Sequence, residues 1–394
     1  MREAYLIDAV RTPRGRRSQP KHDFVGEFAN THPAMLGVAL VNALLERNPS
    51  LPPERVEDLF YSVVQAANEQ AANMGRTIVL TSNLPVTTSG MTMNRACSGA
   101  LQAIAFANAS IKTGDYDVLM AGGGEHMNMC PIDVEWDFDR LPFPQELFEK
   151  HNLVTQGVSA EMIVDKYKIS QEAIDEFGVR SHKLADAATK AGKFKNEIIP
   201  ITYKDKDGNE QVLDYDSSIR PDTSLEKIAK LSRPFKENGK IHAVASSAIV
   251  DGASLALWAS EDACKEYGLK PWAKILASVN AGVEMDIMLD GVIPGTELAL
   301  KRAGLTVDDI DLFEINEAFA PVPIAWMNEL NVPIEKVNVN GGAIAMGHPL
   351  GGTGGILMAT LLNEMDRQDK QFGLVSMCAV YGQSGTIIFE RLPR

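Results

Sequence analysis

Two stretches of this chain carry the same succession of apolar and polar positions. In the first, Leu40-Val-Asn-Ala-Leu-Leu-Glu-Arg47 has helical spacing and leads through Val56-Glu57-Asp58 into the strand-like Leu59-Phe60. In the second, Leu298-Ala-Leu-Lys-Arg-Ala-Gly-Leu305 leads into Ile310-Asp311-Leu312-Phe313. Each predicts an amphipathic helix, a short acidic turn and a strand. The echo continues downstream. Cys97 opens a small-residue helix leading to a strand over residues 117–121, and His348 precedes a helix over 355–366 leading to a strand over 373–377. Closing strands are expected at 254–260 and 386–390, and Met1–Val10 reads as a further buried strand. The pattern predicts one α/β unit used twice, which brings corresponding helix starts together where the halves meet. Cys97 and His348 are then expected to be neighbours.

Residues 122–248 break this rhythm. They hold Pro131, Pro142 and Pro144, the polar turn Lys204-Asp-Lys-Asp-Gly-Asn209 and an amphipathic helix over 170–191. We read them as an excursion inserted in the first half and placed to cover a ligand. The division expected is 1–121 with 249–270 for the first half, 122–248 for the loop domain and 271–394 for the second half. A chain of 394 residues exceeds one typical hydrophobic core, as this division requires.

A net charge of −14 argues against a general nucleic-acid binder, which needs a basic footprint. Basic residues do concentrate locally between Lys166 and Lys240, either as a solvated helical surface or as a site for a small anion. The four cysteines form no Cys-x-x-Cys pair or evident disulfide framework, which suits a reducing compartment. No stretch is long and apolar enough for a membrane span, and neither a signal peptide nor a peroxisomal address is read at the ends. The cytoplasm is the default expectation.

Four runs carry candidate chemistry. Cys97, in Asn94-Arg-Ala-Cys-Ser-Gly-Ala100, sits where a strand meets a helix start. The bland reading is a buried small residue; the functional one is a thiolate helped by free N–H groups and the helix dipole. His348 stands inside Asn340-Gly-Gly-Ala-Ile-Ala-Met-Gly-His-Pro-Leu-Gly351, where glycines give room for close backbone approach. That run lacks the Lys-Ser/Thr of a phosphate loop and the spacing of a dinucleotide fingerprint. Cys378 ends a buried strand, and Asn316 ends another, where it serves as an amide donor or a helix cap. Jointly the four supply a nucleophile, a base, a second thiol acid/base and an amide. A metal site is not expected, because His348 lies outside clustered ligand spacings.

These runs resemble those of the thiolase family, and the likeness extends over essentially the whole chain. Arg11-Thr-Pro13, Gly122-Gly-Gly-Glu-His-Met127, Asn316-Glu-Ala-Phe-Ala320 and the glycine–histidine block carry it. The resemblance implies an α/β fold of two pseudo-equivalent βαβαβαββ halves in a layered αβαβα arrangement, with an inserted loop domain and dimeric or tetrameric assembly. It implies thiolytic cleavage of 3-ketoacyl-CoA to acetyl-CoA and a shortened acyl-CoA, in fatty-acid or side-chain β-oxidation. Coenzyme A is then a co-substrate, with no permanently bound cofactor, and a hydratase/dehydrogenase subunit is a conceivable partner.

By the same resemblance Cys97 is acylated, His348 is the base, and Cys378 exchanges a proton with the acetyl carbon. His348 with a water on Asn316 forms one oxyanion hole; backbone N–H groups of Cys97 and Val380 form the other. Arg220 aligns with a residue that packs on adenine, and Ser247 with one near the pantetheine. Two positions depart from the family. Val380 replaces a usual glycine, narrowing the pocket and restricting φ, and Ile356 stands where many relatives have arginine. An altered acyl pocket is therefore expected. The rivals are a short-chain biosynthetic acetoacetyl-CoA thiolase, a ketoacyl-synthase-type condensing enzyme, which Cys378 argues against, and a CoA-ester-binding homologue without catalysis.

Overall fold

The computed structural model describes residues 2–132, 134 and 142–393. The first half runs β1 (Ala4–Arg11), β2 (Gly15–Arg16), α1 (Pro33–Arg47), β3 (Asp58–Ser62), α2 (Met74–Thr81), β4 (Met91–Met93), α3 (Gly99–Thr113) and β5 (Val118–Glu125). The excursion holds α4 (Gln145–Lys150), α5 (Gln156–Lys166), α6 (Gln171–Lys190), β6 (Ile201–Lys204), β7 (Glu210–Leu213) and α7 (Leu225–Ile228). Strand β8 (Val250–Ser260) returns to the first half, followed by α8 (Glu261–Tyr267). The second half runs β9 (Ala273–Gly282), α9 (Val292–Ala303), β10 (Leu312–Ile315), α10 (Pro321–Leu330), α11 (Ala343–Met346), α12 (Thr353–Gln368), β11 (Phe372–Ala379) and β12 (Gln383–Arg391).

Strand pairing repeats as the sequence predicts. In the first half β3 lies parallel to β4 and β5, and β8 runs antiparallel between β5 and β1. In the second, β10 lies parallel to β11, and β12 runs antiparallel between β11 and β9. Val337 makes a parallel bridge to Phe313 in the place that β4 takes beside Phe60. The halves join where Leu6 of β1 pairs with Ala273 of β9.

Helices α3 and α12 form the central layer. Leu101, Ile104, Leu357, Leu361 and Met365 share one core with Trp258 and Phe389. Helix α12 is buried over most of its length, because a helix enclosed on both faces must be apolar nearly all round. Each such side chain contributes roughly 1.5–3 kcal/mol on burial. The outer layers are α1 and α2 on one side, with Leu40 and Ile78 against Leu257, and α9 and α10 on the other, with Val292 and Trp326 against Leu374. This is the αβαβα layering. The starts of the central helices touch: a Cβ on Gly354 would lie 2.7 Å from the Leu101 side chain.

A buried ion cluster ties the excursion to β1. The Arg11 and Arg14 guanidinium groups both donate to Asp216, and Arg11 also donates to Glu197 at 2.7 Å. The paired cations hold the Asp216 carboxyl below the ordinary range despite its burial.

Candidate active site

Cys97 is aimed inward by a strained turn. Asn94 donates to the Val64 carbonyl at 3.0 Å and accepts from the Ala96 N–H at 2.7 Å. Ala96 thereby takes φ 46°, a left-handed conformation that costs roughly 1–2 kcal/mol outside glycine. Helix α3 then starts hard against β3, for a Cβ on Gly99 would lie 1.9 Å from Ser62 Oγ. Only glycine fits there.

The thiol of Cys97 is 3% exposed, and its pKa is pushed up to about 12, first by burial and then by the carboxylate of Glu125. The backbone N–H groups of Val380 and Cys97 and the Gln156 side chain act in the opposite direction on the sulfur. A strand–helix junction favours a thiolate on sequence grounds, but desolvation outweighs those donors here. Cys97 rests as a thiol.

His348 is positioned by the glycine block in the wall of a neighbouring cavity. Gly347, at φ 97°, passes so close to Val250 that a Cβ would lie 2.4 Å from it. The His348 N–H donates to the Ala248 carbonyl at 3.0 Å. His348 Nδ1 lies 2.6 Å from Thr353 Oγ1, whose own proton goes to the Pro349 carbonyl at 2.9 Å. Thr353 Oγ1 therefore accepts from Nδ1–H, which leaves the lone pair on Nε2. Burial and the nearby Arg14 cation lower the His348 pKa to about 4. The imidazole is therefore neutral at neutral pH, with Nε2 able to accept a proton.

Asn316 does not cap a helix, since α10 begins only at Pro321. Its backbone N–H donates to the Ser376 carbonyl at 3.0 Å, and its amide nitrogen lies 3.4 Å from His348 Nε2. Its Oδ1 has no hydrogen-bond partner among the described residues. Cys378, near the end of β11, is 2% exposed; burial, then the neighbouring Cys97, raises its pKa. Val380 keeps negative φ, and the next residue, Tyr381, takes the left-handed turn at φ 67°. The valine is thus accommodated without the backbone freedom of glycine. Ile356 is fully buried in α12, away from the cavities at the site.

Three cavities meet around these groups. One of about 630 Å³, mostly apolar, reaches His348 past Phe235, Ser247, Phe319 and Val380. A polar one of about 520 Å³ adjoins it at Ala248 and Ile249, with Arg16, Arg17 and Arg220 in its wall. The third, about 90 Å³, contains Cys97 and shares Gln156, Leu350 and Val380 with the first. Arg220 and Ser247 therefore stand on consecutive parts of one route leading toward Cys97. Among the described residues no His/Cys/Asp/Glu group could hold a metal.

Sequence reasoning missed Arg14, Thr353, Gln156 and Glu125. Thr353 lies in the glycine–histidine run, and its spacing from His348 was an available signal. Gln156 carries none in the sequence, because its approach to Cys97 depends on how the excursion folds back.

The thiolase N-terminal domain model matches residues 4–262 and the thiolase C-terminal domain model residues 269–391. A 3-ketoacyl-CoA thiolase of Marinobacter nauticus is 41% identical over 99% of both chains. One of Serratia proteamaculans is 41% identical over the whole of both. The crystal structure of the Bacillus anthracis acetyl-CoA acetyltransferase superposes with a TM-score of 0.90 at 33% identity, covering 100% of this chain and 99% of that one. With its repeated halves, paired cysteines and buried neutral histidine, the chain belongs to the thiolase family of acyltransferases.

Proposed function

We propose that this protein cleaves a 3-ketoacyl-CoA with free CoA, through a thioester on Cys97. Cys97 Sγ attacks the C3 carbonyl and its proton passes to His348 Nε2. The C2–C3 bond breaks, its electron pair goes to C2, and Cys378 protonates that carbon, releasing acetyl-CoA. The proton on His348 returns to Cys378. CoA then attacks the thioester, its thiol proton passing through His348 to the departing Cys97. Splitting a difficult carbon–carbon cleavage into two acyl transfers is the benefit of the covalent route.

The observation that carries this reading is the convergence on one sulfur of two backbone N–H donors, from Cys97 and Val380, next to a second thiol, with a neutral His348 in the wall of the adjoining cavity. Those N–H groups form one oxyanion hole; His348 Nε2, with a water on Asn316, forms the other. The arginine-walled cavity suits the nucleotide phosphates of CoA, with Arg220 at the adenine and Ser247 at the pantetheine. Loop-domain residues 122–248 contribute both, and residues 1–121 with 249–270 and 271–394 supply the catalytic halves.

A role in β-oxidation accords with the names of the curated relatives, 3-ketoacyl-CoA thiolases; the cytoplasm and a hydratase/dehydrogenase partner subunit belong to the same proposal. The open edge of β4, next to α2 with its exposed Leu80, suits assembly as a homodimer or homotetramer. The small Cys97 cavity favours, as second reading, a short-chain acetoacetyl-CoA thiolase. Steady-state thiolysis of 3-ketoacyl-CoAs from four carbons upward tests both. Turnover accompanied by acylated Cys97 is expected; CoA-ester binding without any adduct would mark a non-catalytic homologue.

A further inference from the structure

The turn from β11 to β12 places two successive residues in the left-handed region, Tyr381 at φ 67° and Gly382 at φ 72°. A hairpin turn of that kind favours Asn-Gly, Asp-Gly or Gly-Gly. Tyrosine in the first of the two positions is sterically disfavoured, because a bulky side chain resists positive φ. Backbone strain of this sort gathers at sites that contact ligands. Tyr381 is also 39% exposed, and it stands in the walls of two cavities rather than in a core.

Those two cavities meet beside Cys97. The one of about 90 Å³ that contains the thiol shares Ile132, Gln156, Leu350, Val380 and Tyr381 with the mostly apolar one of about 630 Å³. The route of CoA runs past Ser247, Ala248 and Ile249, and the last two continue into the arginine-walled cavity. Ile132 and Tyr381 line no part of that polar cavity and flank a separate apolar way out from Cys97. An octanoyl chain, whose carbons each take up about the 30 Å³ of a water, outgrows the small cavity and reaches this junction. From the excursion, the Phe143 ring meets the Tyr381 ring edge-on, with centroids 5.4 Å apart, and steadies it.

We infer that Tyr381 is a specificity-determining residue for the acyl group. Its ring, held by Phe143, lies along the part of an apolar acyl chain that outgrows the Cys97 cavity. Medium-chain 3-ketoacyl-CoAs are then better substrates than acetoacetyl-CoA. This rests on the proposed acylation of Cys97 and names the side chain that reads the acyl tail carried there.

The test is the ratio of kcat/KM for thiolysis of 3-ketodecanoyl-CoA to that of acetoacetyl-CoA. These substrates leave octanoyl and acetyl on Cys97 and share every catalytic group, so damage to the chemistry or to the turn lowers both and leaves the ratio alone. In the native protein the longer substrate should be favoured at least about tenfold, the effect of burying roughly two methylenes. Tyr381→Asn suits the left-handed turn and removes the ring, and the ratio should fall toward one. Tyr381→Phe keeps the ring and should keep the ratio. Phe143→Ala leaves the turn untouched, should lower the ratio partly, and serves if the asparagine protein fails to fold. A ratio near one in the native protein, or one that both Tyr381→Asn and Phe143→Ala leave unchanged, overturns the inference while thiolysis stands. Thiolysis of neither substrate by the native protein overturns the acyl-enzyme reading itself.

Discussion

The ends of β5 and β11 occupy equivalent places in the two halves and carry different chemistry. Leu59 pairs with Met120 and Leu312 with Gly373, so the register sets Glu125 against Cys378 as counterparts. Glu125 accepts from the backbone of Val64, Gln65 and Gly351 and from the Gln70 side chain. Its lone pairs are committed to holding both halves together. Cys378 is equally buried but lies beside Cys97 with its proton retained. The connections leaving the two strands differ as well. The long excursion departs after β5, whereas β11 turns at once into β12 and presents the Val380 N–H to Cys97. Duplication supplied two buried strand ends; one became an anchor, and the other carries the thiol that the proposed mechanism uses as an acid.

Substitutions at and around the two strand ends test that contrast. Cys97→Ala should have the largest effect, removing the acyl-enzyme and lowering kcat/KM for thiolysis by at least about 10⁴-fold. The two strand ends should then separate by readout. Cys378→Ala is expected to lower thiolysis by about 10²–10⁴-fold with its urea midpoint near that of the native protein. Glu125→Ala should instead lose roughly 3–5 kcal/mol of stability in urea, because buried donors from both halves lose their acceptor. Equal losses of stability in the two variants would erase the distinction.

Thr353→Val removes the acceptor that keeps the proton on His348 Nδ1. It should reduce the rate of Cys97 acylation about tenfold without altering CoA binding, followed by stopped-flow and calorimetry. The smallest effect concerns pH. With its pKa lowered to about 4, His348 stays neutral in the folded protein from pH 7 down to about 4. The acid limb of acylation should fall near pH 4 rather than near 6.5. Over that same interval the unfolded chain takes up a proton that the folded one refuses, so His348 makes stability decline as pH drops from about 6.5 to about 4. A rate that halves near pH 6.5 would contradict the lowered pKa.

The repeat, the order of helices and strands, and the four residues proposed to act, Cys97, Asn316, His348 and Cys378, were legible in the sequence. Apolar spacing fixes which face of an element is buried, and a glycine block around one histidine is a local signal. The protonation states at the site were not legible. A helix start argues for a thiolate at Cys97, and only the closed core shows desolvation winning, because burial depends on what other segments cover. Val380 likewise read as a constraint on φ, whereas the turn passes the left-handed conformation to Tyr381. Gln156 and Arg14 reach Cys97 and His348 from remote segments, and no spacing rule links them. The order of residues specifies a duplicated α/β chain with thiol and imidazole at matched helix starts. Packing in three dimensions sets the neutral resting state of both groups and brings the Gln156 amide and the Cys378 thiol to Cys97, since each depends on groups that meet only when the halves and the excursion close together.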